Sequence, residues 1–166
     1  MKFLADGMLG NITRWLRLLG YDVEYEKVKN DNELLTRSKQ EKRILLTSDA
    51  ELFRLAKRRG LTAALIKKTS PDEALSKLSE KFNIHLVFDE MRSRCPTCGF
   101  PLKSVNKNSI KEKIPKNTYQ RYNKFWICSN SSCSKVYWRG NHWKKIHQTL
   151  KKARKEESNG KKKLQK

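Results

Sequence analysis

The sequence lacks any long run of apolar residues and is poor in acidic side chains. No stretch approaches the roughly 18 apolar residues that a membrane-spanning helix requires, so a membrane protein is not expected. An acid, Asp6, stands where a signal peptide would be apolar, which predicts a cytoplasmic protein. Only 17 acidic residues oppose 38 basic ones, a formal net charge of +21. Such a charge favours an anionic polymer as partner, most commonly nucleic acid.

The positive charge is concentrated in the later part of the chain. Residues 1–89 carry 17 basic and 13 acidic side chains, whereas residues 90–143 carry 11 and 2 and residues 144–166 carry 10 and 2. All four cysteines lie within the second of these ranges. We therefore expect a globular domain, then a small cysteine-containing domain, then a basic tail that forms a short helix and is disordered beyond it.

Short apolar strands alternate with amphipathic helices in the first domain. Helix starts are marked by residues with capping side chains, at Asn30, Asp49 and Ser70. This alternation predicts an α/β fold, a parallel sheet with helices on both faces. The predicted strands are residues 2–6, 23–25, 44–47, 63–66 and 84–88.

Carboxylates follow several of these strands. Asp6 closes the first strand, Asp49 follows the third, and Asp31 and Glu33 open the helix between them. Ligands of parallel sheets bind at the carboxyl ends of the strands, so these acids are candidates for a site that holds Mg²⁺ or Mn²⁺. A metal held there can activate water for attack on a phosphodiester. The alternative for Asp31 and Asp49 is that each only caps its helix.

The cysteines form two pairs with the spacing of a metal site. Cys95 and Cys98 enclose a tight Pro-Thr turn, and Cys128 and Cys133 supply the second pair. Four thiolates satisfy tetrahedral Zn²⁺ with no open position, which predicts one structural zinc in a ribbon. The alternatives are two disulfides or a redox pair, which a chain without a signal peptide does not favour.

Aromatic and basic residues interleave after the last cysteine. Such residues can stack on bases and pair with phosphates, although Tyr137 and Trp138 can equally pack the small ribbon. Two arginines on the polar side of the first helix can also contact an RNA backbone. The candidate RNA-binding residues are Arg14, Arg17, Arg139, His142, Trp143, Lys144 and Lys145.

Several separated motifs resemble one known family. They occur in the family's order between about residue 2 and residue 143, and together they are similar to the Mut-seven C-terminal RNase family, in which a PIN-like nuclease domain precedes a zinc ribbon. The motifs are Phe3-Leu4-Ala5-Asp6-Gly7-Met8-Leu9-Gly10, Arg14-Trp15-Leu16-Arg17-Leu18-Leu19-Gly20-Tyr21-Asp22, Leu45-Leu46-Thr47-Ser48-Asp49, Arg94-Cys95-Pro96-Thr97-Cys98, Phe125-Trp126-Ile127-Cys128 and Tyr137-Trp138-Arg139-Gly140-Asn141-His142-Trp143.

The resemblance implies a PIN-like fold and a metal-dependent ribonuclease site. Carried onto this sequence, its acids are Asp6, Asp49 and Asp31, or Glu33 in place of Asp31. The sequence departs from the family at Ser48, where arginine is common. It also has Lys67-Lys68 after the fourth strand, where PIN nucleases often carry a fourth acid.

Two functions from different classes therefore remain open. One is a Mg²⁺- or Mn²⁺-dependent endoribonuclease with an RNA-gripping ribbon and tail. The other is a non-catalytic RNA-binding protein on the same fold, attached to ribosomal RNA or the ribosome. A phospho-acceptor receiver domain would also place acids at strand ends, but it explains neither the cysteine pairs nor the charge. The oligomeric state is not predicted.

Overall fold

Four parallel strands form the sheet of the first domain. The structure is a computed structural model that describes the backbone of residues 1–25 and 30–163 and the side chains of the same ranges as far as residue 157. The strand order is β2-β1-β3-β4, which confirms the predicted parallel sheet. The strands are β1 (Lys2–Ala5), β2 (Asp22–Tyr25), β3 (Ile44–Thr47) and β4 (Ala63–Leu65).

Helices cover both faces of this sheet. The helices are α1 (Gly10–Leu18), α2 (Asp31–Gln40), α3 (Ala50–Arg58) and α4 (Pro71–Phe82). One face, with Phe3 and Leu46, packs against α1 and α4, and the other, with Leu4 and Leu45, packs against α2 and α3. Three helix starts have the predicted caps, since the side chains of Asn30, Asp49 and Ser70 each accept a backbone N–H.

The strand predicted at residues 84–88 does not form. Ile84 and Leu86 are buried as the alternating pattern requires, but their backbone pairs with no strand in the part of the chain that the structure describes. Side chains take the place of a neighbouring strand: the His85 N–H donates to the Tyr21 hydroxyl at 2.7 Å, and Arg154 donates to the Leu86 carbonyl at 3.3 Å. The segment is an extended cover over the core.

A small antiparallel sheet forms the cysteine-containing part. Its order is β5-β6-β7, and a 3₁₀-helix (Lys107–Lys113) and α5 (Lys116–Arg121) lie between β5 and β6. Ile110, Ile114 and Phe125 form its own apolar core. The strands are β5 (Leu102–Val105), β6 (Phe125–Cys128) and β7 (Val136–Trp138).

The helix of the basic tail is much longer than the sequence suggests. Helix α6 runs from His142 to Lys163, beyond the point where the apolar pattern ends. Leu150 and Ala153 are buried in the same cluster as Phe3 and Leu75 of the first domain. The beginning of the tail is therefore part of the main core. Among the described helices, none combines the length and the apolar character that crossing a bilayer demands.

The buried side of α6 makes the stability of the sheet depend on it. We expect Leu150→Ala to lower the free energy of unfolding by about 2–5 kcal/mol, because Leu150 is 3% exposed and its removal leaves a cavity. Lys151→Ala, at an exposed position of the same helix, should change it by less than about 0.5 kcal/mol. Urea denaturation followed by far-UV circular dichroism measures both; equal stabilities would contradict the packing of α6.

Candidate active site and cysteine cluster

Asp6 lies at the place where the sheet topology offers a ligand site. It follows β1, and its N–H donates to the Leu46 carbonyl of β3 at 3.1 Å. In the order β2-β1-β3-β4 the chain passes from β1 outward to β2 on one side and from β3 outward to β4 on the other. The direction of the connections therefore reverses between β1 and β3. Open parallel sheets bind their ligands at such a switch point, outside the carboxyl ends of the strands.

The Asp6 carboxylate is buried and well supplied with donors. Its Oδ1 accepts the Met8 N–H at 3.0 Å, and its Oδ2 accepts the Thr47 hydroxyl and the Ser48 N–H, the latter at 3.1 Å. The residue is only 8% exposed. A carboxylate has about four acceptor positions. Three are used here, which fixes the side chain and leaves capacity for one more partner.

Asp49 is joined to Asp6 through one threonine. The Asp49 N–H donates to Thr47 Oγ1 at 2.9 Å, and the same hydroxyl donates to Asp6. Asp49 caps α3, since its Oδ1 accepts the N–H groups of Glu51 at 2.6 Å and Leu52 at 3.1 Å. Asp49 therefore caps its helix, but capping occupies only one of its two carboxylate oxygens.

Asp31 and Glu33 lie apart from this arrangement. Both are exposed in the first turn of α2, where Asn30 Oδ1 accepts the Glu33 N–H at 2.9 Å. Within the described ranges, only the four cysteines bring three or more potential metal ligands together. The structure thus does not assemble Asp6, Asp31 and Asp49 into one carboxylate cluster.

A cavity of about 350 Å³ opens beside Ser48. Met8 and Ile66 contribute apolar walls, and Lys67 and Lys68 line it from the loop after β4. The Ser48 hydroxyl oxygen is buried, and no described group gives it a hydrogen bond. The position expected for a fourth acid therefore carries two cations and a free hydroxyl, a donor set suited to an anion. In the sequence, the signal for this basic cavity was the pair Lys67-Lys68 after the fourth strand.

The four cysteine sulfurs form a cluster of the size that zinc requires. The sulfurs lie within 4.8 Å of one another, with 3.8 Å between Cys95 and Cys133 and 3.3 Å between Cys98 and Cys128. All four cysteines are free, and these separations far exceed a disulfide bond of about 2.05 Å. Zn–S bonds of about 2.3 Å in a tetrahedron place the sulfurs roughly 3.8 Å apart. The cluster could therefore hold a zinc ion, as predicted.

Ionisation of the thiols also favours a cation. Burial raises the pKa of Cys95, but hydrogen bonds from the Tyr137 hydroxyl and from the backbone N–H groups of Cys98 and Thr97 outweigh it and lower the pKa to about 6. Burial raises the pKa of Cys128 and Cys133, and the neighbouring sulfurs raise it further. The negative charge of the Cys95 thiolate thus disfavours ionisation of the other thiols, and a divalent cation would remove that repulsion.

Arg17 is an interior residue, not the RNA contact that the sequence suggests. It is 6% exposed. Its Nε and Nη2 donate to the Val23 carbonyl at 3.0 and 2.7 Å, and its Nη1 donates to the carbonyls of Thr97 at 2.8 Å and Pro96 at 3.4 Å. Burial lowers the pKa of Arg17, while the nearby thiols of Cys98 and Cys95 act in the opposite direction. The guanidinium therefore joins β2 to the cysteine turn.

The remaining RNA-binding candidates lie on or beside one surface cleft. Arg14, Arg139, His142 and Trp143 line it, and Lys144 and Lys145 are exposed in the same first turn of α6. Arg139 is paired with Glu90 and lies over the Trp143 ring, 4.9 Å from its centroid. Sequence reasoning missed two tryptophans in this cleft, Trp15 and Trp126. Each belongs to one of the motifs that resemble the family, but the sequence does not show that the two side chains meet in one cleft.

Comparison with known families agrees with this architecture. The model of the Mut7-C RNAse domain matches residues 1–150, which include the parallel sheet, the cysteine ribbon and the first part of α6. The chain therefore belongs to the Mut7-C RNAse domain family, as its motifs indicate. Neither the curated proteins nor the solved structures give a significant match.

The cysteine cluster predicts the metal content of the protein. Purified protein should contain one zinc per chain by elemental analysis, and Cys128→Ser should lose it, because a structural site needs all four ligands. The ribbon should then unfold, since zinc binding supplies much of its folding free energy. Ser129→Ala is the matched control and should keep the metal. A native mass that shows two disulfides would contradict the zinc site.

Loss of the Arg17 guanidinium should destabilise the junction of the two sheets. Arg17→Met removes the donors to the Val23 and Thr97 carbonyls, and the buried Val23 carbonyl is then left unsatisfied, at a cost of about 1–3 kcal/mol. Arg14→Met, on the exposed side of the same helix, should cost less than about 0.5 kcal/mol. Chemical denaturation of the zinc-loaded proteins compares them, and equal losses would show that the buried contacts contribute nothing.

Proposed function

We propose that this protein is a divalent-metal-dependent endoribonuclease whose hydrolytic site lies at the carboxyl edge of the parallel sheet. Membership of the Mut7-C RNAse domain family indicates a ribonuclease-like function and an RNA substrate. One observation carries the location of the site: at the β1/β3 switch point, Thr47 Oγ1 donates to the Asp6 carboxylate and accepts the backbone N–H of Asp49. These two acids are the proposed metal-binding residues.

The donor set fits Mg²⁺ or Mn²⁺ with two protein carboxylates. Mg²⁺ commonly uses one or two carboxylates and takes its other ligands from water and substrate phosphate. Asp6 has acceptor capacity left at Oδ1, and Asp49 has its second oxygen free of any described hydrogen bond. A bound ion would supply a polarised water and neutralise charge on the phosphate.

The protein's own side chains complete the site around the phosphate. Lys67 and Lys68 enter the adjacent cavity, where they can pair with a phosphodiester and offset the negative charge that develops during attack. The Ser48 hydroxyl can donate to a phosphate oxygen, which would satisfy its unpaired buried atom. Asp31, or Glu33, remains a proposed third acid that would have to approach from the start of α2.

A second function is favoured by one specific observation. The described residues hold no group of three carboxylates, so the fold can also serve as a non-catalytic RNA-binding protein, attached to ribosomal RNA or the ribosome. Residues 90–166 carry 21 basic and 4 acidic side chains, enough for sequence-independent phosphate contacts in either function. Only an assay of cleavage separates the two.

The nuclease proposal is tested by cleavage of single-stranded and structured RNA with and without added Mn²⁺. Asp49→Asn should lower the rate at least about 100-fold, because asparagine removes a charged ligand yet still caps the helix. Asp6→Asn should do the same, and Asp31→Asn tests the third acid. Omitting the ion is preferable to adding a chelator, since a chelator would also remove structural zinc.

Asp89→Asn is the matched control for Asp49→Asn. The Asp89 carboxylate also accepts a nearby backbone N–H, from Met91 at 2.9 Å, but it stands outside the sheet edge. The cleavage rate and the RNA affinity of the Asp89→Asn variant should equal those of the wild type. If the wild type cuts no RNA with any divalent ion, or if Asp49→Asn cuts equally well, the nuclease proposal fails and the RNA-binding function replaces it.

A further inference from the structure

All four tryptophans of the chain line one cleft. Trp15 comes from α1, Trp126 from β6, Trp138 from β7 and Trp143 from the first turn of α6. The cleft has a volume of about 640 Å³, within the roughly 300–1,000 Å³ of small-molecule sites. It shares only Asn11 with the lining of the cavity beside Ser48. This four-tryptophan cleft is thus separate from the proposed hydrolytic site.

Two of these tryptophans, Trp126 and Trp143, belong to no apolar core cluster among the described residues. Trp15 packs against the main core, and Trp138 packs against the ribbon core, as expected for one aromatic of that motif. Trp126 is on the strand face opposite Phe125, is half-buried, and belongs to no apolar cluster among the described residues. Trp143 meets Phe88 edge-on, with 4.4 Å between ring centroids. Trp143 also meets His147, with 5.1 Å between ring centroids, and both Trp126 and Trp143 line the cleft.

Two arginines and a histidine lie beside these rings. Arg139 lies above Trp143 and is held there by Glu90, so its position is fixed. Arg14 is exposed on the wall formed by α1, and the described residues offer it no hydrogen bond or ion pair. His142 is exposed at the start of α6, directly before the basic run that begins at Lys144. An occupant with flat aromatic groups and negative charges could stack on the tryptophan rings and pair with the basic side chains.

We propose that the four-tryptophan cleft binds an unpaired segment of single-stranded RNA, with a base stacked on Trp126 and Trp143 and a backbone phosphate paired with Arg14. Every base has a π-face, so aromatic stacking tolerates any sequence. The inference rests on RNA as the ligand of the proposed function, not on its hydrolysis. It adds the substrate class: the base must be free to leave a helix, so single strands, loops and bulges are bound in preference to duplexes.

Charge decides between RNA and a protein segment as occupant. Aromatic-lined grooves also accept extended peptides. In this cleft Glu90 is already paired with Arg139, and the Arg14 guanidinium remains for the ligand. The part of the chain that forms most of the cleft, residues 90–166, carries a large excess of basic side chains. A peptide of ordinary composition carries too little negative charge to balance these basic side chains, whereas each nucleotide brings one negative charge.

The test measures the affinity of the full-length, zinc-loaded protein for a short fluorescein-labelled oligouridine by anisotropy, without added Mg²⁺ or Mn²⁺. Trp126→Ala and Trp143→Ala should each weaken binding about 5- to 150-fold, the range for loss of one stacked base, with little change in salt dependence. Arg14→Ala should instead lower the slope of log affinity against log salt by about 0.7, as for one lost single-strand phosphate contact. Oligouridine should quench indole fluorescence in the wild type.

Two matched variants serve as controls. Phe100→Ala removes a 50% exposed aromatic of the ribbon that is not in the cleft, and Arg54→Ala removes an exposed arginine of α3. Both should bind oligouridine like the wild type. Unchanged zinc content and thermal midpoint in Trp126→Ala and Trp143→Ala show that lost affinity does not reflect unfolding; if Trp126→Ala unfolds, Trp126→Phe should retain most of the affinity because it keeps a ring.

Three outcomes overturn the proposal. They are unchanged affinity in both tryptophan variants, equal binding of a hairpin duplex of the same length, and an acidic peptide that binds as tightly as oligouridine and depends on the same tryptophans. Failure of the nuclease proposal is separate. Loss of binding in the tryptophan variants of a protein that cuts no RNA would support the cleft alone, and cleavage with unchanged affinity in those variants would support the nuclease alone.

Discussion

The arrangement of the two sheets depends on the buried guanidinium of Arg17. A guanidinium carries five N–H donors in a rigid plane, so it can serve several carbonyls that face it from different directions. Here those carbonyls belong to β2 and to the Pro96-Thr97 turn between the first two cysteines. Gly20, at a φ of +92°, lets the chain near Arg92 approach α1, because an added Cβ would lie 2.8 Å from the Arg92 carbonyl. The cysteine turn is therefore fixed against the end of α1.

This position also bears on how the four cysteines could hold a zinc ion. Zinc with four thiolates carries a net charge of about −2, which is costly at a partly buried site unless cations lie nearby. Arg17 interacts electrostatically with Cys98 and Cys95, and its positive charge compensates part of that cost. The same residue thus contributes to the geometry and to the electrostatics of the ribbon.

Local signals in the sequence were reliable where the physics is local. The caps at Asn30 and Ser70 need only a side chain and a backbone N–H a few residues away, and the cysteine spacing describes one turn. Residues 84–88 show the limit of such reasoning, since their burial alternates as in a strand while no strand within residues 1–25 and 30–163 pairs with them. The long-range contacts of α6 were equally hidden, because Leu150 meets its partners from the first domain only in the folded chain.

The candidate site was likewise predictable from the sequence only in part. Strand order brings the ends of β1 and β3 together, so the closeness of Asp6 and Asp49 follows from recognising a parallel sheet. Asp31 comes after residues 26–29, which lie outside the described ranges, and its place depends on the path of that connection. Arg17 was misplaced because helical spacing shows which face a residue occupies but not what packs against that face. The tryptophans could not be grouped, since they come from four different elements.

The burial of α6 has a consequence for how the protein is made. Phe3 and Ala153 lie in one core, so contacts at the centre of the first domain span almost the entire sequence. Folds dominated by such long-range contacts form slowly, since a large loop must close before the contacts stabilise it. During synthesis the parallel sheet would emerge first with part of its apolar surface uncovered, and it would wait for the ribbon and α6 to leave the ribosome. Full stability of the first domain is thus a late event in translation, and a ribosome stalled before Leu150 would carry an incomplete core.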